Sequence, residues 1–288
     1  MRTVNHLEEL QRVPRAVAIG TFDGVHLGHR RVIEAAGAAG PKVTAVTFAP
    51  HPRTILGNRV ELLSTVERRL ELIAALGVEE TLLVEFTLEL AGLPPEEFAD
   101  SVLRRLGAEV VVAGPGFRFG RGARGDLELL GELGFDVRTV PLVEDVSSSA
   151  IRRLLHAGQV REAARLLGRP AEVEGRVVLG DQRGGTLGFP TANVAVEGDL
   201  LVPAYGIYAG EAAGHRAAIS IGTNPHYGGE ERRVEAFLLD FHGDLYGRRL
   251  VVELWERLRD ERVFKSEAEL IEAIAEDVEQ TRAASRPR

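Results

Sequence analysis

The chain has 288 residues, more than one ordinary domain needs and about right for two, and it contains no cysteine, which excludes disulfides and thiolate metal sites. Its net charge of -8 argues against a general nucleic-acid binder while allowing a local basic pocket for a small anion. No apolar run reaches membrane-spanning length and the charged start, "MRTVNHLEELQRVPR", lacks the apolar stretch of a signal peptide, so no membrane is expected and the cytoplasm is the expected compartment.

From 15 to about 140, short apolar runs ("AVAIG", "VTAVTF", "TLLVEF", "EVVVAG") alternate with segments of helical period such as "TVERRLELIAALG" and "PPEEFADSVLRRLG". That alternation predicts right-handed βαβ units and an α/β domain built on a parallel sheet covered on both faces. Two helical stretches follow, "SSSAIRRLLHAG" and "QVREAARLLGRP", the second closing on Gly168 and Pro170 as a helix stop should. The expected domains are therefore 1–168 and 169–288. After the boundary come β-type runs without intervening helices: "AEVEGRVVLG", "GIYAGEAA", "RAAISIG", "RRVEAFLLDF" and "RRLVVELWERLR". They predict a small antiparallel β-barrel, capped by a final helix over about 266–282 with Ser266 as N-cap and Glu269 completing a capping box.

The first chemical signal is "AIGTFDGVHLGH", residues 18–29. A strand, a glycine turn and a helix start present helix-end amides to an anion at the carboxyl edge of a parallel sheet. The stretch matches neither a dinucleotide fingerprint nor a P-loop, so His26 and His29 would be the donors, becoming more basic and charged beside a polyphosphate. Gly20 and Gly24 would let the backbone approach a ligand. A plain surface or core pair is the ordinary reading of two histidines at this spacing, and zinc would need further ligands that nothing nearby supplies.

Several motifs along this half carry a resemblance. "GTFDGVHLGH" resembles the signature of the HxGH nucleotidyltransferases, specifically the flavin adenylyltransferase module of bacterial FAD synthetases. "TFAPHP" (47–52), "GFRFGRGARGD" (116–126) and "SSSAIR" (147–152) are similar to that family's later segments. The resemblance implies a Rossmann-like domain in which His26, His29, Ser148, Ser149 and Arg152 sit on the ATP phosphates, with Gly20, Phe22 and Gly24 around the nucleotide. It also implies that Phe117 and Asp126 lie beside the flavin. Gly116 and Ala49 depart from the pattern, where the family carries Asn or an acidic residue. They keep open an N-terminal domain that binds without transferring or uses another acceptor. The chemistry itself fits: the FMN phosphate is already an anion, so the site needs alignment and cations rather than a general base.

In the second half, "LGDQRGGTLGFPTANV" (179–194) reads as a glycine-rich loop rather than a strand. Thr191 and Asn193 offer hard oxygens suited to Mg²⁺ carrying ATP phosphates, and Gly180, Gly184, Gly185 and Gly188 free backbone amides for those phosphates. The pattern resembles the ATP loop of riboflavin kinases. "RRVEAFLLDFHGDLYG" (232–247) is similar to the same family's strand whose glutamate, Glu235 here, is the base toward the ribityl hydroxyl of riboflavin. "LRDERVF" resembles the closing segment, implying a flavin-side role for Arg259 with Glu261 beside it, although the two could form an exposed ion pair. Taken together the resemblances imply a bifunctional transferase. Riboflavin and ATP would give FMN and ADP in the barrel; FMN and ATP would give FAD and pyrophosphate in the α/β domain. Each step would use Mg²⁺, the partners would be these small molecules, and the oligomeric state is left open.

Overall fold

The computed structural model describes residues 1–40, 42–180, 187–223 and 232–287. Packing divides the chain into two compact units, Met1–Val60 with Thr65–Ser147, and Glu61–Ser64 with Ser148–Arg288.

The first unit is a six-stranded parallel sheet made of β1 (Arg2–Val4), β2 (Arg15–Ile19), β3 (Val43–Ala49), β4 (Glu80–Glu85), β5 (Ala108–Ala113) and β6 (Asp136–Thr139). Its order is β1-β4-β3-β2-β5-β6. The helices are α1 (Leu27–Gly37), α2 (Pro52–Ile55), α3 (Val66–Ala74), α4 (Leu88–Gly92), α5 (Pro95–Phe98), which runs on as a π-turn over Ala99–Arg104, and α6 (Leu127–Glu132). Every residue of β2 is buried because helices cover both faces. Alternate residues enter opposite cores: Ala16 and Ala18 pack with Ile33 and Ile73, while Val17 and Ile19 pack with Phe98 and Leu103. Strand order reverses between β2 and β5, so the loops after these strands flank the crevice where such sheets bind ligands. The edge strands β1 and β6 are short and lie outside the apolar runs that predict the inner four.

The second unit is a closed antiparallel barrel of β7 (Ala171–Val178), β8 (Ala192–Val196), β9 (Gly206–Ala212), β10 (His215–Thr223), β11 (Arg232–Leu238) and β12 (Arg249–Arg259), ordered β10-β11-β8-β7-β12-β9. Closure removes sheet edges and encloses a core that includes Val173, Val194, Ile219, Val234 and Val252. Helices α7 (Ser148–His156) and α8 (Val160–Leu167) share this core through Ile151, Leu155, Val160, Ala163 and Leu167. Packing therefore places both helices with the barrel, ahead of the boundary expected at 168, because their apolar stripe finds its partners there. Helix α8 does end at Gly168, in the left-handed region with φ 69°.

Two local expectations are corrected. The end of the stretch assigned to a loop, residues 192–194, belongs to strand β8, since its alternation is set by pairing with β7 and β11 rather than by composition. The last helix, α9 (Glu267–Ala283), has Ser266 as N-cap accepting from the Glu269 amide, but the Glu269 carboxylate takes the amide of Lys265, one residue short of closing the box.

Candidate active sites in the two units

In the sheet unit the loop between β2 and α1 turns through the left-handed region at two non-glycine residues, Phe22 (φ 49°) and Val25 (φ 39°), as well as at Gly24. Such backbone costs on the order of 1–3 kcal/mol per residue and persists only where surrounding contacts enforce it. Phe22 is one such contact, buried and edge-on to His29 with ring centroids 5.4 Å apart. His26 is the N-cap of α1: its Nδ1 accepts the His29 amide at 3.3 Å, which leaves the neutral ring's proton on Nε2. The two imidazoles stack, centroids 3.6 Å apart and planes 14° apart. Burial first, then the His26 ring and then Arg69, hold His29 well below the ordinary imidazole range. The buried His29 Nδ1 has no hydrogen-bond partner, and the surroundings favour the neutral ring.

A cavity of about 850 Å³ opens over this loop. Gly20, Phe22, His26 and His29 line one side and Phe117 another, with Phe48, Phe86, Phe98 and Phe119 supplying aromatic wall. Among the described residues no carboxylate lines it. Gly116 also lines it, and a Cβ there would meet nothing within 4 Å. Asp126 and Gly24 are not on its wall; Asp126 caps α6 instead, accepting the Leu129 amide at 3.1 Å. Ser148 and Ser149 open α7, and Arg152 on the same helix donates from Nε to the Glu61 carbonyl at 2.6 Å, all within the barrel unit. Among the described residues, no group of three or more His, Cys, Asp or Glu could hold a metal ion.

Arg69 is a neighbour of the histidines that no motif announces. It lies on the buried stripe of α3, four residues before Ile73, and this helical period was the available signal.

In the barrel unit, β8 and β11 bring three predicted residues together. Asn193 stands opposite Glu235 in the antiparallel register, and the Thr191 hydroxyl donates to Glu235 Oε2 at 3.4 Å. Gly180 completes the group: a Cβ there would run into the Asn193 side chain, so only glycine lets the backbone lie against that amide. Gly188 follows with φ 86°, and Gly184 lies outside the described residues.

Glu261, which with Arg259 falls in the segment that resembles the family's closing one, sits over Gly222 of β10, where no side chain would fit beneath its carboxylate. Burial pushes its carboxyl pKa up and the Glu235 charge adds to this, while Arg259 opposes it. Arg259 itself is committed to Asp277 of α9 through a two-pronged pair at 2.8 and 2.6 Å. Asp277 is 4% exposed, so this pair is buried and differs in partner from the exposed Arg259–Glu261 pair considered from sequence.

Fold and site together define a two-part nucleotide-dependent transferase: an HxGH sheet unit with a carboxylate-free cavity, and a barrel with a Thr/Asn/Glu cluster. Comparison with known proteins gives the same division. A family model described as FAD synthetase matches residues 9–152, and one described as riboflavin kinase matches 167–285. A bifunctional riboflavin kinase/FMN adenylyltransferase of Listeria monocytogenes is 36% identical, covering 96% of this chain and 94% of the relative. Its Bacillus subtilis counterpart is 35% identical over 95% and 93%. A crystal structure from Streptococcus pneumoniae, described as a macrolide-efflux protein, superposes with TM-score 0.88 at 31% identity over 99% of both chains. Among the described residues of this chain, no helix is long and apolar enough to cross a membrane. The chain belongs to the bifunctional riboflavin kinase/FMN adenylyltransferase family.

Proposed function

We propose that the sheet unit transfers the adenylyl group of ATP to FMN and that the barrel transfers the γ-phosphoryl group of ATP to riboflavin, with the residues named above in those roles. The observation that carries the reading is where carboxylates stand. The FMN phosphate is an anion that attacks without losing a proton, and the cavity beside His26 and His29 has no carboxylate on its wall. The ribityl hydroxyl is a neutral alcohol, and the barrel offers Glu235 to orient it and accept its proton.

In the sheet unit His26 and His29 donate to the ATP phosphates, the loop 20–24 lies along them, and the aromatic wall that includes Phe117 faces the flavin ring. Ser148, Ser149 and Arg152 keep the phosphate role that resemblance gives them, and Asp126 acts on the flavin side through the helix it caps. In the barrel Gly180, Gly184 and Gly188 approach the phosphates. The side-chain oxygens of Thr191 and Asn193 are hard donors and fit Mg²⁺, which when bound neutralises charge on the transferring phosphate. Arg259 keeps the flavin-side role that resemblance gives it, on a strand that its pair with Asp277 pins to α9. The functional boundary is placed near 168, in keeping with the two family matches, and the ATP-dependent pair of reactions fits the cytoplasm.

The test is product analysis of the purified chain with riboflavin, ATP and Mg²⁺: FMN and then FAD are expected, and absence of FMN ends the kinase reading. Gly116 favours a second reading, in which the sheet unit binds flavin nucleotide without transfer. FMN with ATP and Mg²⁺ decides it by yielding FAD and pyrophosphate or neither.

A further inference from the structure

Arg69 is among the largest fully buried side chains, 1% exposed. Desolvating a guanidinium costs several kcal/mol unless acceptors and charge compensate it. Its Nη1 donates to the Phe48 carbonyl at 2.8 Å, the Thr21 carbonyl at 2.9 Å and Thr47 Oγ1 at 3.2 Å. The Thr47 hydroxyl in turn donates to the same Thr21 carbonyl at 3.0 Å. One cation thus ties the end of β3 to the residue immediately before Phe22, where the loop enters the left-handed region. None of these three acceptors is a carboxylate; buried Asp23 is the acidic group in its field.

We propose that Arg69 is the positioning residue of the adenylyl-transfer site, holding Thr21 and the β3 end so that the loop presents His26 and His29 to the ATP phosphates. This rests on the reading of those histidines as phosphate donors. The fixed charge has a second effect. The charged and titratable groups acting on His29 are His26 on its own turn and Arg69 from α3; Asp23 in the loop acts on Arg69, and Arg53 and Arg118 line the same cavity. Arg69 adds to burial and to His26 in resisting protonation of His29, so the stacked rings avoid mutual repulsion until an anion arrives.

The full chain tests this with FMN, ATP and Mg²⁺. Arg69→Gln should lower kcat/KM for ATP in FAD formation by roughly tenfold or more, the scale of a misplaced binding group, while FMN formation from riboflavin stays within about twofold and reports a folded barrel. In the same variant, NMR titration of the His29 ring should move up in pH toward ordinary imidazole. Arg69→Lys keeps the charge but cannot span the same acceptors. It should leave that titration near wild type yet still slow FAD formation, and full rescue by Lys overturns the positioning role. Where Arg69→Gln unfolds the sheet unit, Thr47→Val carries the test by removing one hydroxyl from the network; a loss of roughly two- to fivefold is expected, and a wild-type rate overturns the proposal. Arg69→Gln with FAD formation and the His29 titration both unmoved overturns it as well. His29→Ala with FAD formation intact overturns instead the reading of the site on which this rests.

Discussion

The two units handle the same cosubstrate with opposite chemistry, and the contrast lies in one type of side chain. In the sheet unit a cavity of about 850 Å³ is walled by aromatic rings, glycines, two stacked imidazoles and arginines. In the barrel, Glu235 lies against Thr191 and a second carboxylate, Glu261, is held within its field. A nucleophile that is already ionised needs cations and alignment; a neutral alcohol needs a proton acceptor. The presence or absence of a carboxylate thus follows from the acceptor rather than from ATP.

The sharpest break in that contrast is to remove each unit's own group. Glu235→Gln should lower FMN formation by roughly 10²–10⁴-fold, the usual worth of a positioned base, while added FMN is still converted to FAD. His29→Ala should reverse the pattern, cutting FAD formation by about 10²-fold and sparing FMN formation. The two rates measured on each purified variant by separating the flavins check this. Loss of both in a folded single variant contradicts independent sites.

A second break acts through backbone. Gly180→Ala forces a Cβ into the Asn193 amide, and moving that donor by about 1 Å should cost on the order of 10²-fold in kinase kcat/KM with little change in FAD formation. A kinase at wild-type rate in this variant would show that Asn193 is not held where the transfer needs it.

These substitutions also mark what could be read from sequence. Inner strands of the sheet were legible because "AVAIG" and "EVVVAG" are continuous apolar runs, as strands buried on both faces must be. His26 and His29 were legible because they fall at a helix start after a glycine turn. Strand β8 was not, since Pro190 and the glycines before it dominate local composition while its pairing with β7 and β11 is remote in sequence. Arg69 was not legible as a site neighbour for a related reason, and Glu261 was legible only through the resemblance of its segment. Arg69 looks like an ordinary charged residue until the fold buries it beneath a loop 48 residues away, and Glu261, which stays exposed, until the fold sets its carboxylate over Gly222. Arg259 and Asp126, both named through motifs, also hold elements of the fold, in a buried ion pair and a helix cap that the motifs do not announce.

The contrast extends to pH. A histidine whose native pKa lies below its unfolded value binds fewer protons when folded, so the stability it contributes is present above about pH 6.5 and is lost as pH falls below it. The ligand-free sheet unit should therefore lose several degrees of melting temperature on acidification from pH 7 to 5.5 beyond what His29→Ala loses. ATP should offset part of that loss, because bound phosphates favour the protonated ring. Calorimetric melting of both proteins across this range measures it. Identical pH dependence would mean that His29 titrates normally in the folded chain.

The smallest effect concerns Gly116, the place where this chain departs from the family pattern inside the cavity. A side chain there meets open space, so Gly116→Asn should change stability by no more than about 0.5 kcal/mol, as surface substitutions generally do. An Asn amide on this wall gains at most a hydrogen bond or two to nucleotide or flavin, and each such bond is worth about 0.5–1.5 kcal/mol net. FAD formation should therefore rise by roughly two- to tenfold in kcat/KM if the amide reaches substrate, with FMN formation unchanged as the internal control. A fall in kcat/KM with stability preserved would mean instead that substrate already occupies the space beside Gly116. The aromatic wall would then already make the contact there, and the missing side chain would be a condition for binding rather than a defect in it.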